Sequence, residues 1–223
     1  MLSLVNVTYH PPATPRPVLQ QVNLVLPPQS LTLVMGVSGA GKTTLLELIA
    51  GLATPTQGHI LWQGQPLQAA DLQEIAGLVF QFPERHFCGL TLLEELRLGH
   101  PELTEEQVRQ ALTTVHLHTV PLHQPPHQLS GGQQRRLALA VQLIRQPYVL
   151  LLDEPLAGLD WSMRQQVTQL LQELKSAWSL LVVSHDTREL SGIADQVWCL
   201  DSGRLRDMTG HVPDNQTYYS QAG

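Results

Sequence analysis

The sequence predicts an α/β fold: a mainly parallel sheet covered by helices, an antiparallel β part at the N-terminus and an inserted α-helical subdomain. Three observations point there. Apolar strand-like runs alternate with helical segments along most of the chain, the pattern of strand–helix–strand units. The run YVLLLD (148–153) is apolar almost throughout, as in a strand buried on both faces of a parallel sheet. Between Leu90 and Ile144 the pattern turns helical and rich in Glu, Arg, Gln and His, which marks the insertion. The 223 residues read as one domain, with a core over about 1–84 and 145–223 and the helical subdomain over about 85–144. A chain of that length buries a substantial core without metal or disulfide support.

The elements follow in order. LSLVNVTY alternates like a strand, and the stretch Pro11 to Pro17 is a loop that cannot join a ladder. VNLVL (22–26) and LTLVM (31–35) are two more apolar runs, parted by Pro27 and Pro28. A helix is expected through TTLLELIAG, with Gly51 as its stop. HILWQG and GLVFQF read as strands, and Pro121, Pro125 and Pro126 break the helical block. After YVLLLD come a helix over roughly 161–178, the strand SLLVVS, a short helix and the strand QVWCLD. The tail beyond Asp201 has little periodicity and is expected to be a short hairpin or disordered.

Composition narrows the classes. The net charge of −6 argues against a general nucleic-acid-binding surface, which is normally basic. Cys88 and Cys199 lie far apart, which suits a reducing compartment better than a disulfide framework. The longest apolar runs fall well short of the roughly 20 residues of a membrane span, and the opening MLSLVNVTYHPP lacks a signal-peptide layout. The expectation is a cytoplasmic domain.

GVSGAGKTT (36–44) matches G-x-x-x-x-G-K-[ST] and stands between an apolar strand and a helix. Glycines let successive backbone N–H groups close around phosphate oxygens, and the helix N-terminus adds partial positive charge. Lys42 would neutralise the β- and γ-phosphates and the Thr43 hydroxyl would ligate Mg²⁺. This motif makes the expected core a P-loop NTPase. LLLDEP (150–155) ends the buried strand in two carboxylates. Asp153 is placed to hold Mg²⁺, directly or through water. Glu154 points the other way from a strand end, where it would orient the attacking water or take its proton. In LSGGQQRR (129–136), two glycines open a helix behind a serine, so exposed N–H groups and a hydroxyl can grip an anion.

GVSGAGKTT, LSGGQ, LLLDEP, AGLD (157–160) and VVSHD (182–186), in this order, resemble the motifs of the ATP-binding cassette ATPases, over nearly the whole chain from Tyr9 to about Asp201. The resemblance implies two such domains facing head to tail, the second subunit being another copy or a similar chain. The P-loop residues Gly36, Ser38, Gly39, Ala40, Gly41, Lys42, Thr43 and Thr44 of one would share an ATP with Ser130, Gly131, Gly132 and Gln133 of the other. Asp160 would belong to the same nucleotide-binding set. By the same resemblance His185 contacts the γ-phosphate and supports the attacking water, Gln81 senses Mg²⁺ and γ-phosphate, and Tyr9 stacks on adenine.

VFQFPERHFCGLTLLEELRLG (79–99) resembles the corresponding segment of energy-coupling-factor importer ATPases, which serve vitamins, cobalt or nickel. In that group the segment receives helices of an integral membrane coupling subunit, so Gln81 to Gly99 is the expected docking region. The group commonly carries a C-terminal extension that pairs the subunits, whereas this sequence ends shortly after QVWCL. Such a cassette is peripheral on the inner face of the membrane, held there by its partners. Two other classes compete. A soluble cassette ATPase acting as a clamp in assembly, repair or translation would be expected to bring a coiled-coil insertion, a tandem cassette or a basic patch. A P-loop phosphotransferase gives no reason for LSGGQ or His185. The remaining features read as ordinary: His116, His118, His123 and His127 lack a compact metal-ligand spacing, the four tryptophans read as core or edge packing, and Arg135 and Arg136 as solvated or partner-contacting.

Overall fold

The structure, a computed structural model, describes residues 1–12 and 14–210. In chain order its strands are β1 (Leu2–Tyr9), β2 (Leu19–Leu26), β3 (Leu31–Met35), β4 (Gln57–Trp62), β5 (Gln65–Pro66), β6 (Ala76–Val79), β7 (Val149–Asp153), β8 (Ser179–Ser184), β9 (Gln196–Asp201) and β10 (Arg204–Asp207). The helices are α1 (Lys42–Ile49), α2 (Ala69–Ile75), α3 (Leu92–Leu96), α4 (Glu105–Thr114), α5 (Gly131–Leu143), α6 (Trp161–Leu174) and α7 (Arg188–Ser191), with 3-10 turns at Pro83–Arg85 and Pro126–Gln128.

Two sheets result. One is antiparallel, in the order β2-β1-β4-β5, and the other runs β10-β9-β3-β8-β7-β6, parallel except for β10. Strand period dictates where the parallel sheet buries its side chains. Leu33, Met35, Leu150, Leu152, Leu180 and Val182 face a core shared with α5 and α6. Val34, Val149, Leu151, Leu181 and Val183 face a second core shared with α1 and the antiparallel sheet. All five residues of β7 are buried, which is why its sequence shows no alternation.

The parallel register also positions the site. Met35 pairs with Ser184 and Asp153 with Val183, so β3, β7 and β8 end together on one edge, where ligands of open α/β sheets bind. Gly36 leaves β3 so close to β9 that a Cβ there would meet the Leu200 carbonyl oxygen at 2.5 Å. Gly41 caps α1 at φ 101°, a conformation that favours glycine.

Three elements depart from expectation. The strand expected at GLVFQF stops at Val79, and Phe82 turns the chain at φ 56°. Helix α2 has no motif of the usual kind because Gln68 caps it, exchanging hydrogen bonds with Asp71. Helix α6 ends at Leu174, with a turn before β8. The hairpin expected beyond Asp201 is β9–β10, and the rest of that tail, 211–223, lies outside the described residues.

Candidate functional site

The three strand ends and the start of α1 enclose a cavity of about 440 Å³ lined by Val18, Ser38, Gly39, Gly41, Lys42, Thr43, Thr44, Gln81, Asp153, Glu154 and His185. Its floor is the first turn of α1. The first N–H groups of any helix have no partner inside it, so this end offers unpaired donors and partial positive charge to the cavity. Lys42 is buried, and its ammonium donates to the carbonyls of Gly36 (2.7 Å) and Val37 (3.1 Å). It also lies 3.8 Å from Glu154 Oε1. The loop is thereby folded back over its own lysine, held ready for an anion.

Thr43 Oγ1 donates to Asp153 Oδ2 at 2.8 Å. A hydroxyl beside a carboxylate is a hard oxygen-donor pair suited to Mg²⁺. Among the described residues no cluster of three or more His, Cys, Asp or Glu forms a metal cage. Burial pushes the Asp153 carboxyl above its ordinary value. The Thr43 hydrogen bond and the Lys42 charge pull it back, and the Glu154 charge pushes it up again.

Glu154 corrects one expectation. It does not point away from Asp153: at φ 47° its side chain turns into the same cavity. A non-glycine residue held in the left-handed region is a local strain of the kind found at functional sites. Its buried carboxylate is fully engaged. Oε1 accepts from the His185 backbone N–H (2.9 Å) and faces His185 Nδ1 at 2.7 Å, while Oε2 accepts from the Ser184 hydroxyl (2.9 Å). The short Nδ1–Oε1 contact fixes the orientation of the imidazole against Glu154.

Other expected site residues lie elsewhere. Gly36 and Ala40 shape the loop from its buried side, and Tyr9 is half-buried at the end of β1, outside the lining; Val18, whose N–H donates to the Tyr9 carbonyl at 2.8 Å, lines the cavity instead. Ser130 to Gln133 also stay outside it. Ser130 Oγ accepts from the Gln133 N–H (3.3 Å) and Gln133 Oε1 from the Ser130 N–H (2.9 Å), a capping box that leaves Ser130 and Gly131 exposed. Asp160 caps α6 through the Met163 N–H at 2.9 Å.

Neighbouring residues bring two further corrections and one refinement. Arg135 is not solvated but buried, with Nη2 donating to the Ala157 carbonyl at 3.0 Å. Trp161 does not pack in the core; it is 69% exposed. His116 pairs with Glu173 at 2.9 Å.

The comparisons match this geometry to known proteins. The family described as ABC transporter matches residues 19–157. The chain belongs to the ABC transporter family. It is an ATPase cassette that binds ATP. It is 47% identical over 214 residues to ABC transporter I family member 11, chloroplastic, of Arabidopsis thaliana, covering 89% of this chain and 77% of that protein. It is 34% identical over 221 residues to the energy-coupling factor transporter ATP-binding protein EcfA2 of Streptococcus sanguinis, with 92% and 79% covered. It is 38% identical over 199 residues to the aliphatic sulfonates import ATP-binding protein SsuB of Escherichia coli, with 88% and 76% covered. Among solved structures, cbiO1 of Clostridium perfringens, described as part of the ABC transporter complex cbiONQ, has a TM-score of 0.84 at 26% identity over 99% of this chain and 91% of that one. The cassette MJ0796, a dimer in a post-hydrolysis state bound to ADP and Pi, has a TM-score of 0.79 at 29% identity over 93% and 97%.

Asp153 carries a testable conflict between stability and function. A carboxyl whose folded pKa is raised destabilises the fold fully above that pKa and ceases to do so as pH falls below the unfolded value. Asp153→Asn removes the charge and keeps an acceptor for Thr43. The variant's nucleotide-free form is expected to melt a few degrees higher than the parent near neutral pH, by scanning calorimetry, with the gap closing towards pH 4. A weaker dependence of its ATP affinity on Mg²⁺ is the outcome that a metal-holding Asp153 would give.

Proposed function

We propose that the chain is the ATP-hydrolysing subunit of a membrane importer of the energy-coupling-factor type, working on the cytoplasmic face through ATP-driven closure of a head-to-tail dimer. The observation that carries this reading is the separation of two phosphate-binding surfaces. The Lys42 cavity is lined without any of Ser130 to Gln133, and that capped helix start stays exposed on the same chain. A second subunit turned head to tail would bring its own Ser130 and Gly132 to the open side of the cavity. Two anion-binding helix ends would then share one triphosphate.

Within the site the contacts support the following roles. Lys42 and the N–H groups of α1 hold the β- and γ-phosphates, with Gly36, Ser38, Gly39, Ala40, Gly41 and Thr44 shaping the loop. Thr43, Asp153 and Gln81 hold Mg²⁺, which when bound offsets the phosphate charge. Glu154 orients the water and accepts its proton. His185, held by Glu154 at Nδ1, meets the γ-phosphate side through Nε2. Tyr9 and Val18 flank the adenine end, and Asp160 fixes the start of α6 at the dimer surface. Loss of the γ-phosphate contacts on hydrolysis releases the closure.

The helical part, about 85–144, is the subdomain that meets the membrane partner. Between Gln81 and Gly99 the surface exposes Leu90 and Leu98, and a cavity of about 290 Å³ beside it is lined by Phe80, Pro83, His86, Phe87 and Leu98 among others. Exposed apolar side chains around a groove suit an inserted apolar helix. Likeness to EcfA2 and to cbiO1 supports the energy-coupling type, with vitamins or transition metals as cargo, whereas likeness to SsuB supports an importer with a conventional permease. No described helix is long and apolar enough to cross a membrane, so attachment would run through partners.

Two outcomes test the reading. Glu154→Gln is expected to bind ATP with unchanged affinity, to lose at least about 100-fold in turnover, and to accumulate an ATP-bound dimer by light scattering. Unchanged hydrolysis would remove Glu154 from the role assigned to it. Purification of the tagged chain from detergent-solubilised native membranes should bring down a multi-span coupling protein and a small membrane solute binder, and Leu98→Glu should release both without slowing ATP hydrolysis. A permease pair alone would make the importer conventional, and soluble partners alone would return the cassette to the clamp class.

A further inference from the structure

His185 stands on a short segment held at its start by Ser184, whose hydroxyl donates to the Asp186 carbonyl (2.8 Å) and accepts from the Asp186 N–H (3.1 Å). It follows β8 in a bend, and helix α7 after it has only four residues and no side-chain N-cap. So short a helix is not stable by itself. The imidazole is more than half exposed, with a side-chain exposure of 55%. Its contacts with Glu154 fix one ring nitrogen and its own N–H, and the 185–189 turn takes a further constraint from outside the segment.

Arg164 supplies that constraint from another helix. Its Nη2 donates to Asp186 Oδ2 and, at 3.1 Å, to Glu189 Oε2, and its Nε lies 3.0 Å from Glu189 Oε1. One planar guanidinium thus grips both ends of the turn that runs from Asp186 to Glu189, around the buried Thr187. The fork geometry matters, because only arginine offers several donors in fixed directions to two carboxylates. Asp186 shows the strength of the contact. Burial raises its pKa, but the Arg164 hydrogen bond and charge, with the Arg188 backbone N–H and the His185 charge, leave it below the ordinary value.

The location of Arg164 gives the clamp a purpose. It lies one turn into α6, whose first turn is fixed by Asp160. The segment before it, 157–160, is held to α5 by the bond from Arg135 to the Ala157 carbonyl. Helix α5 starts at the exposed Ser130 cap, and Gly132 sits where a Cβ would be 3.2 Å from Met163 of α6. The same helix therefore touches the surface assigned to the second subunit through Met163 and, at the next residue, the neighbour of His185.

We propose that Arg164 is a positioning residue for hydrolysis, holding the 185–189 turn through Asp186 and Glu189 so that His185 and Glu154 keep their mutual geometry. The proposal rests on the reading of His185 as part of the ATP site. It places no ligand on Arg164 itself. Removing the guanidinium would loosen the turn and take from Asp186 and Glu189 the cation they share.

The test compares full-chain variants at saturating Mg-ATP. Arg164→Ala is expected to lower kcat by roughly 10- to 100-fold, the scale of a misplacement of about 1 Å, while KM for ATP stays within about 3-fold. Arg164→Lys keeps the charge but not the fork, and should fall between the parent and the alanine variant. Asp186→Asn should resemble Arg164→Ala, and the double variant should be no slower than Arg164→Ala alone, as for residues acting through one contact. Three results would overturn the proposal: an unchanged kcat, a rise in KM alone, or losses that add in the double variant. His185→Ala, assayed alongside, separates the two levels. If it abolishes turnover while Arg164→Ala leaves kcat unchanged, only the positioning role fails. If His185→Ala retains full turnover, the reading of the site fails and the positioning role with it.

Discussion

Glu154 occupies a buried position where a charged group needs compensation from every side. It obtains this from Lys42 at the start of α1, from the Ser184 hydroxyl at the end of β8, and from the backbone and ring of His185. Three elements that are far apart in sequence therefore meet at one carboxylate. The geometry is possible only because β3, β7 and β8 end in register on one edge of the parallel sheet. Apolar strands buried on both faces set that register, since a slip of one residue would exchange the side chains of the two cores.

Charge economy explains the rest of the site. An empty phosphate loop would leave a buried lysine and a helix N-terminus facing a cavity. The loop carbonyls of Gly36 and Val37 accept from the lysine, and Glu154 balances it at 3.8 Å. Asp153 lacks so close a cation and has its pKa raised by burial, so a divalent ion held beside Thr43, as proposed, would offset a charge that the fold leaves poorly compensated. Sites of this kind trade stability for a preorganised charge distribution.

Much of this was legible in the sequence, and the exceptions have physical causes. GVSGAGKTT gave both the loop and its helix because each residue type there meets a steric or electrostatic demand of phosphate. YVLLLD announced a doubly buried strand. Strand alternation points Glu154 away from Asp153, but Glu154 stands one residue past the strand, in a left-handed turn that reverses its direction. Arg135 looked solvated because helical spacing alone does not reveal that its guanidinium reaches the Ala157 carbonyl across to the neighbouring loop. Val18 gave no signal, being one apolar residue after a proline-rich loop. Helix α2 was missed because a glutamine cap is uncommon.

The claim on which the account turns is that one chain supplies Lys42 and another supplies Ser130 to the same ATP. It is tested most directly by mixing two variants that are each inactive, Lys42→Ala and Ser130→Arg, and measuring ATP hydrolysis as the mixing ratio changes. Head-to-tail pairing creates one intact site in each mixed dimer, so activity should appear in the mixture and peak near equal proportions. A mixture as inactive as its components would place both surfaces in the service of a single chain and contradict the account.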